Sequence, residues 1–265
     1  MSEPMLNVES ISIVFGGLKA VSNFDLKIYE GELVGLIGPN GAGKTTVFNM
    51  LSGIYTPTEG KIRFMEPDGI TKNIEGQAPH ILAKSGIART FQNIRLFKEL
   101  SVLDNVRIAM HNRIAYTPFG SVFRTKSYYQ EEERIKSKAL ELLGLFNIDS
   151  KSMELAQNLP YGEQRKLEIV RALAGNPRLL LLDEPAAGMN TQETKNLMEL
   201  ISFIRKRFSV TILLIEHDMN LVMGICERLV VLDYGKIIAE GLPEEIKRNP
   251  SVIKAYLGEE ATIDA

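Results

Sequence analysis

Cysteine is nearly absent from this 265-residue chain, which carries Cys226 alone. A single thiol excludes an internal disulfide framework and is typical of a protein from a reducing compartment. We expect Cys226 to be a small buried apolar side chain rather than a reactive group.

Long hydrophobic runs are also missing. The longest, residues 210–215, has the length of a strand, whereas about 20 apolar residues are needed to span a bilayer. Residues 1–5 contain neither the basic nor the apolar region of a signal peptide. We therefore expect a protein that stays in the cytosol and reaches a membrane only through a partner.

Neither sign of charge dominates. Thirty-one Lys and Arg residues face thirty-three Asp and Glu residues, for a net charge of −2. This balance argues against a protein that holds nucleic acid through its phosphates. A composition with 45% hydrophobic and 24% charged residues is that of an ordinary globular chain, with one large domain or two small ones.

The hydrophobic pattern predicts a parallel α/β sheet. Three apolar runs read as strands buried on both faces, and helical patterns separate them; they are residues 33–37, 179–182 and 210–215. Residues 6–15 and 20–30 read as two extended antiparallel segments. From about residue 93 the strand signals fade, and apolar residues at Ile135, Ala139, Leu142 and Leu143 follow helical spacing. The middle third is therefore predicted to be a helical insertion.

A glycine-rich stretch between the first apolar strand and a helical pattern is the strongest chemical signal. It reads Gly38, Pro39, Asn40, Gly41, Ala42, Gly43, Lys44, Thr45 and Thr46. Strand, loop, Gly-Lys-Thr and helix together predict a phosphate-binding loop. Its four fixed positions would recur by chance in roughly 1 in 100 chains of this size. We expect Lys44 to reach the β- and γ-phosphates of a nucleoside triphosphate and the Thr45 hydroxyl to bind Mg²⁺.

Polar residues follow three of the other predicted strands. Asp183 and Glu184 end the leucine run, where open α/β sheets bind their ligands. Asp183 is expected to hold Mg²⁺ through a water, and Glu184 to orient and deprotonate an attacking water. His217 follows residues 210–215 and is expected to contact the γ-phosphate. Gln92, after the predicted strand 87–91, is expected to reach Mg²⁺ or the water.

These residues together resemble the ATP-binding subunits of ABC transporters over roughly residues 5–258. Residues 38–46 match the Walker A motif and 179–184 the Walker B motif, while Gln92 and His217 fall at the Q-loop and the H-loop. Phe15 falls where the family places an aromatic ring against adenine. Residues 159–164, Leu-Pro-Tyr-Gly-Glu-Gln, match the family signature at its leucine, second glycine and acid–amide end.

The resemblance implies a P-loop NTPase (RecA-like) parallel-sheet core, with an N-terminal antiparallel β subdomain and an inserted α-helical subdomain. The expected divisions are 1–92, 93–165 and 166–265. ATP and Mg²⁺ are the implied cofactors. In a head-to-tail dimer each ATP would lie on the Walker A motif of one subunit and the signature of the other, which implicates Tyr161, Gly162 and Glu163 in nucleotide binding.

Two positions depart from the family pattern. The signature serine, whose hydroxyl contacts the γ-phosphate in trans, is Pro160 here. Proline has neither a hydroxyl nor an N–H group, so the contact is expected to rest on the backbone near residues 161–162 and on the following helix N-terminus. The D-loop ends in Asn190 rather than an aspartate, which puts any proton-handling role there in doubt.

Secondary motifs resemble the LivG-type ATPases of branched-chain amino acid importers. They include residues 47–49, 89–92, 186–190 and 241–243, and an aromatic-rich segment at 116–128 where that subfamily has an insertion. Importers of urea or other amides share much of this pattern. The alternatives are an ATPase of such an importer or of a lipopolysaccharide exporter, and a soluble ABC-type ATPase.

The resemblance also implies partners. These are a second ATPase subunit in a homo- or heterodimer, two integral-membrane permease subunits and, indirectly, an extracytoplasmic solute-binding protein, with no nucleic acid. The expected location is the cytoplasmic face of the cell membrane. The permease contact is expected near residues 92–100, where Leu96 and Phe97 either face the partner or pack in the core.

Overall fold

The computed structural model describes residues 3–110 and 125–257. His111, most of the aromatic-rich segment at 116–128 and the acidic tail 258–265 lie outside the described residues. The strands are β1 (Leu6–Phe15), β2 (Leu18–Ile28), β3 (Leu33–Ile37), β4 (Glu59–Met65), β5 (Thr71–Asn73), β6 (Ile87–Arg89), β7 (Leu179–Asp183), β8 (Thr211–Ile215), β9 (Arg228–Asp233) and β10 (Lys236–Gly241). The helices are α1 (Lys44–Leu51), α2 (Pro79–Ser85), α3 (Val102–Met110), α4 (Lys126–Leu145), α5 (Tyr161–Ala174), α6 (Thr191–Phe208), α7 (Met219–Ile225), α8 (Pro243–Lys247) and α9 (Pro250–Leu257).

The chain forms two compact units. The first combines Met1–Arg89 with Arg178–Ala265, and the second is Thr90–Pro177. The sequence-based division after residue 165 falls inside helix α5, which belongs as a whole to the second unit. A helix is a cooperative element, so a division at either of its ends is physically more natural than one within it.

A six-stranded sheet in the order β10-β9-β3-β8-β7-β6 forms the centre of the first unit. Strands β9, β3, β8, β7 and β6 are parallel, and β10 adds an antiparallel edge. Every residue of β3, β7 and β8 is buried, as expected for strands covered on both faces. The three buried strands predicted from the apolar runs are thereby confirmed.

An antiparallel sheet in the order β2-β1-β4-β5 completes this unit. Its inward side chains include Phe24 and Phe64 and share one apolar core with α1 and the parallel sheet. Cys226 is buried, and burial raises the pKa of its thiol to about 12. The thiol is therefore a core side chain, as predicted.

The second unit is built around three helices, α3, α4 and α5, which pack against one another. Helix α4 buries Ile135, Ala139, Leu142 and Leu143, which confirms the predicted apolar face. The end of the segment at 116–128 is helical, because α4 already begins at Lys126. A helical insertion in an α/β framework is thus present.

Helix α6 explains the departure at Asn190. The Asn190 side chain accepts a hydrogen bond from the Glu193 N–H at 3.0 Å, and the Glu193 carboxylate accepts one from the Asn190 N–H at 2.9 Å. This capping box satisfies two backbone donors at the start of the helix. Asparagine caps a helix as well as aspartate does, so the loss of charge leaves the helix start intact.

Among residues 3–110 and 125–257, no helix combines the length and the apolar character needed to cross a membrane.

Candidate functional site

The glycine-rich loop joins β3 to α1 at the carboxyl end of the parallel sheet. Gly43 precedes the helix with a φ of 106°, and Gly38 has a φ of 149°. A Cβ atom on Gly38 would lie 2.0 Å from the carbonyl oxygen of Leu232. The loop therefore depends on glycine both for its conformation and for its close approach to β9.

Lys44 is folded back over this loop. Its Nζ donates to the carbonyl oxygens of Gly38 at 2.7 Å and Pro39 at 2.8 Å, and the residue is 5% exposed. Burial lowers the pKa of Lys44, while the charge of Glu184 acts in the opposite direction. A buried ammonium group that donates to two neutral carbonyls is well placed to gain from an anionic ligand.

Glu184 and His217 lie together opposite the loop. His217 Nε2 and Glu184 Oε1 are 2.8 Å apart. A cleft of about 200 Å³ is lined by both side chains and by residues 40–46. The sequence-predicted residues Lys44, Thr45, Glu184 and His217 are thus brought to one cleft, although up to 173 residues separate them along the chain.

The backbone at Glu184 is strained. Its φ is 45°, in the left-handed region that a residue with a Cβ rarely adopts. Such a conformation costs about 1–3 kcal/mol and persists where the surroundings impose it. The Glu184 N–H donates to the Ile215 carbonyl oxygen at 2.9 Å, which holds the end of β7 against the end of β8.

Glu216 is a buried carboxylate that organises the loops around this pair. It accepts hydrogen bonds from the backbone N–H groups of Ala186 at 2.6 Å, His217 at 3.0 Å and Asp218 at 3.4 Å. Burial raises the pKa of Glu216, and these three donors act against that shift. Glu216 therefore ties the chain after β7 to the chain after β8.

Asp183 ends β7 as a buried carboxylate. Its Oδ2 lies 2.7 Å from Arg89 Nη2, and the two side chains are 5% and 7% exposed. Burial of two opposite charges at this distance fixes the orientation of both groups. Sequence reasoning singled out Asp183 but not the arginine that holds it.

Phe15 ends β1 and is 42% exposed. Its ring meets the ring of Tyr55 edge-on, with centroids 5.2 Å apart and an interplanar angle of 68°. An edge-to-face neighbour covers at most one face of a ring, so the exposed part of Phe15 is available for stacking. Tyr55 carried no signal in the sequence, because its relation to Phe15 depends on the register of two separate segments.

The remaining predicted residues, Gln92 and residues 161–163, lie in the second unit. The backbone at Gln92 is held by Arg165 of α5, which is fully buried. Arg165 donates to the carbonyl oxygens of Phe91 at 2.7 Å and Gln92 at 2.8 Å. It also pairs with Glu168 at 2.8 Å. Because both partners sit on α5, the helix that carries the signature segment also fixes the backbone at Gln92. Neither Arg165 nor Glu168 was singled out from the sequence.

The signature segment begins helix α5. Pro160 precedes the helix, and its carbonyl oxygen accepts from the N–H groups of Glu163 at 3.0 Å and Gln164 at 2.9 Å. Tyr161 is 48% exposed, and a Cβ atom on Gly162 would meet nothing within 4 Å. The Glu163 carboxylate is held by Lys151 Nζ at 2.8 and 2.7 Å, so its charge is already paired within this unit.

A metal ion at the loop would need few protein ligands. Among the described residues, no cluster of three or more His, Cys, Asp or Glu side chains is arranged to hold a metal. Magnesium commonly uses one or two protein oxygens together with phosphate oxygens and waters. A Thr45 hydroxyl and an Asp183 carboxylate are chemically suited to that mode of binding.

Two family models match this chain. A family model described as ABC transporter matches residues 21–187. A second model, described as branched-chain amino acid ATP-binding cassette transporter, matches residues 236–262.

Individual relatives match nearly the whole chain. The high-affinity branched-chain amino acid transport ATP-binding protein LivG of Escherichia coli (strain K12) is 46% identical over 259 residues, or 98% of this chain and 100% of that protein. The lipopolysaccharide export system ATP-binding protein LptB of Haemophilus influenzae is 35% identical and covers 97% of this chain and 98% of its own.

Solved structures share the fold. The ADP conformation of MJ1267, an ATP-binding cassette of an ABC transporter, has a TM-score of 0.82 at 31% identity and covers 97% of this chain and 100% of its own. A dimeric post-hydrolysis state of the cassette MJ0796, bound to ADP and phosphate, has a TM-score of 0.71 at 26% identity and covers 90% and 99%.

Proposed function

Because the chain belongs to the ABC transporter family of ATP-binding cassettes, we propose that it is the ATP-hydrolysing subunit of a branched-chain amino acid importer. Its relative at 46% identity is named for transport of that substrate class, and a model for the same class matches residues 236–262. One observation supports the proposed hydrolysis of ATP in particular. Lys44, Glu184 and His217 line a single cleft at the end of the phosphate loop.

The loop and helix α1 bind the triphosphate. Backbone N–H groups of residues 40–46 and the helix N-terminus attract the phosphate oxygens. Lys44 exchanges its two loop carbonyls for the β- and γ-phosphates. Thr45 and, through a water, Asp183 would hold Mg²⁺, and Gln92 would reach the ion or the attacking water. The ion, when bound, neutralises charge on the phosphates.

Glu184 is the base that orients and deprotonates the attacking water. His217 fixes the Glu184 carboxylate at 2.8 Å and contacts the γ-phosphate. Glu216 holds the backbone at His217 and at Ala186, two residues after Glu184. Because the strained turn at Glu184 fixes the backbone below the carboxylate, the base is already oriented before ATP arrives.

Phe15 stacks on the adenine ring. Its exposed face and the edge-on support from Tyr55 favour this role. A flat aromatic surface binds the base by stacking.

A dimer completes the site. A related cassette forms a dimer with ADP and phosphate, and the signature segment of one subunit would meet the nucleotide of the other. Since Lys151 already pairs with Glu163, the contact relies mainly on the backbone near Tyr161 and Gly162. Pro160 supplies no hydroxyl. The second subunit is a copy of this chain or a related ATPase.

Transport requires two membrane permeases, which hold the ATPase at the cytoplasmic face of the cell membrane. Phe97 is 47% exposed, which favours a partner surface over core packing at that position, whereas Leu96 is half-buried. The solute-binding protein acts on the permeases from the opposite side and reaches this subunit only indirectly.

Uptake in intact cells tests the assignment. A strain that lacks this chain should lose uptake of labelled leucine, isoleucine and valine. The wild-type gene should restore it, whereas the Glu184→Gln variant should not. Retention of branched-chain uptake together with a loss of urea uptake or of lipopolysaccharide export would move the assignment to one of those transporters.

A further inference from the structure

Arg89 is a buried arginine that none of the roles above employs. It is the last residue of β6 and of the first unit. Its guanidinium pairs with the Asp183 carboxylate at 2.7 Å, and both side chains are less than one-tenth exposed. The pair joins β6 to the end of β7, the strand beside it.

The same guanidinium also reaches the helix that follows the phosphate loop. Its Nη1 donates to Asn49 Oδ1 and to Ser52 Oγ, each at 2.7 Å. The group also lies over the ring of Phe48, 5.7 Å from its centre. All three residues belong to α1 or directly follow it.

Arg89 therefore bridges the two elements that carry the proposed Mg²⁺ ligands. Thr45 lies in the first turn of α1, and Asp183 ends β7. The guanidinium is planar and rigid, so its two terminal nitrogens fix the relative positions of the groups they contact. Groups that hydrogen-bond to metal ligands without touching the metal orient those ligands and affect metal affinity strongly.

We propose that Arg89 is a positioning residue of the magnesium site. It locks the Asp183 carboxylate to α1, so that the carboxylate and the Thr45 hydroxyl address one ion. It acts through Asp183 and through Asn49 and Ser52. The proposal rests on the proposed function, because it assumes that Thr45 and Asp183 bind the metal of a nucleotide complex.

A purely structural ion pair would stabilise the fold without changing metal binding. The discriminating readout is therefore the affinity for a metal ion at equilibrium rather than turnover. Mn²⁺ is a suitable probe because it takes the same oxygen ligands as Mg²⁺. Electron paramagnetic resonance measures its binding to the protein–ADP complex, and a fluorescent ADP analogue measures metal-free nucleotide binding.

The main variant is Arg89→Met, which keeps most of the side-chain stem and removes the guanidinium. The matched control is Arg228→Met. Arg228 also lies in the first unit and pairs with Glu32 and Glu240, neither of which has a proposed role. Arg89→Lys keeps the positive charge but loses the two terminal nitrogens that contact Asp183 and α1 together. Asn49→Ala removes one contact between the guanidinium and α1.

We expect Arg89→Met to weaken Mn²⁺ binding about 10- to 100-fold while metal-free ADP binding changes less than about 2-fold. Arg228→Met should leave Mn²⁺ affinity unchanged. Arg89→Lys should weaken it at least about 3-fold, because a single ammonium cannot hold Asp183 and α1 at once. Asn49→Ala should also weaken Mn²⁺ binding, by a smaller factor than Arg89→Lys does.

An Mn²⁺ affinity of Arg89→Met equal to that of the wild type would overturn the proposal. If Arg89→Met shows no cooperative melting, the test rests on Arg89→Lys and Asn49→Ala. An Mn²⁺ affinity equal to that of the wild type in both variants would then overturn the proposal. Failure of the wild-type protein to bind Mn²⁺ together with ADP would overturn the proposed function and this inference with it.

Discussion

Replacing Glu184 with glutamine should separate nucleotide binding from turnover. Glutamine keeps the shape of the side chain and leaves a polar group 2.8 Å from His217 Nε2. It removes the basic oxygen that takes the proton from water. Removing a positioned general base costs about 10²- to 10⁴-fold in rate, so turnover should fall at least about 100-fold.

The affinity of Glu184→Gln for ATP should rise, although its turnover falls. Glu184 carries a negative charge in the cleft where the triphosphate binds, and its charge also acts on Lys44. Two unit charges about 4 Å apart in water interact by about 1 kcal/mol. Relief of that repulsion corresponds to an affinity about 5-fold higher. We expect the folded backbone to be unchanged, because glutamate and glutamine at position 184 meet the same backbone strain at a φ of 45°.

Phosphate release at saturating ATP and Mg²⁺ measures the turnover of the assembled transporter, and calorimetry measures the affinity for ATP. Asp218→Asn is a matched control, because it makes the same carboxylate-to-amide change at a residue that caps α7. Turnover of Glu184→Gln close to that of the wild type would reject Glu184 as the base. Weaker ATP binding would refute the electrostatic argument.

Three further predictions concern single residues. Lys44→Ala should weaken ATP binding about 10- to 150-fold in calorimetry, because hydrogen bonds to charged groups contribute about 1.5–3 kcal/mol; unchanged affinity would exclude the phosphate contact. Phe15→Ala should weaken ATP about 5- to 150-fold through lost stacking but leave inorganic triphosphate unaffected, and equal losses for both ligands would contradict adenine contact. Cys226, with a pKa raised to about 12 by burial, should stay unreactive to a thiol reagent at pH 8 until the protein is unfolded. The folded protein holds this proton longer than the unfolded chain does, so its stability relative to Cys226→Ala should fall as pH rises above about 8.5; a parallel pH profile for the two proteins would contradict the burial.

The fold was predictable where one physical signal dominated. Strands β3, β7 and β8 are buried throughout and almost wholly apolar, and three such runs between helical patterns favour a parallel sheet covered on both faces. The phosphate loop was predictable because its glycine spacing is required by local backbone geometry. Helix α4 was predictable from the spacing of its buried face.

The supporting side chains were not predictable in the same way. Arg89 and Asp183 are 94 residues apart along the chain, and their contact depends on the adjacency of β6 and β7. Arg165 reaches the Gln92 carbonyl across 73 residues. A single sequence shows that such charges exist but not which partners they meet. The residues that orient the site therefore emerge only from the tertiary structure.

The decisive measurement of the transporter assignment is to purify a tagged Glu184→Gln variant from detergent-solubilised membranes with ATP and to identify the copurifying proteins by mass spectrometry. We expect two different polytopic permeases and an ATPase partner, either a related chain or a second copy of this one. Recovery with ribosomes, with DNA or without any membrane protein would contradict the transporter assignment and leave only the ATPase.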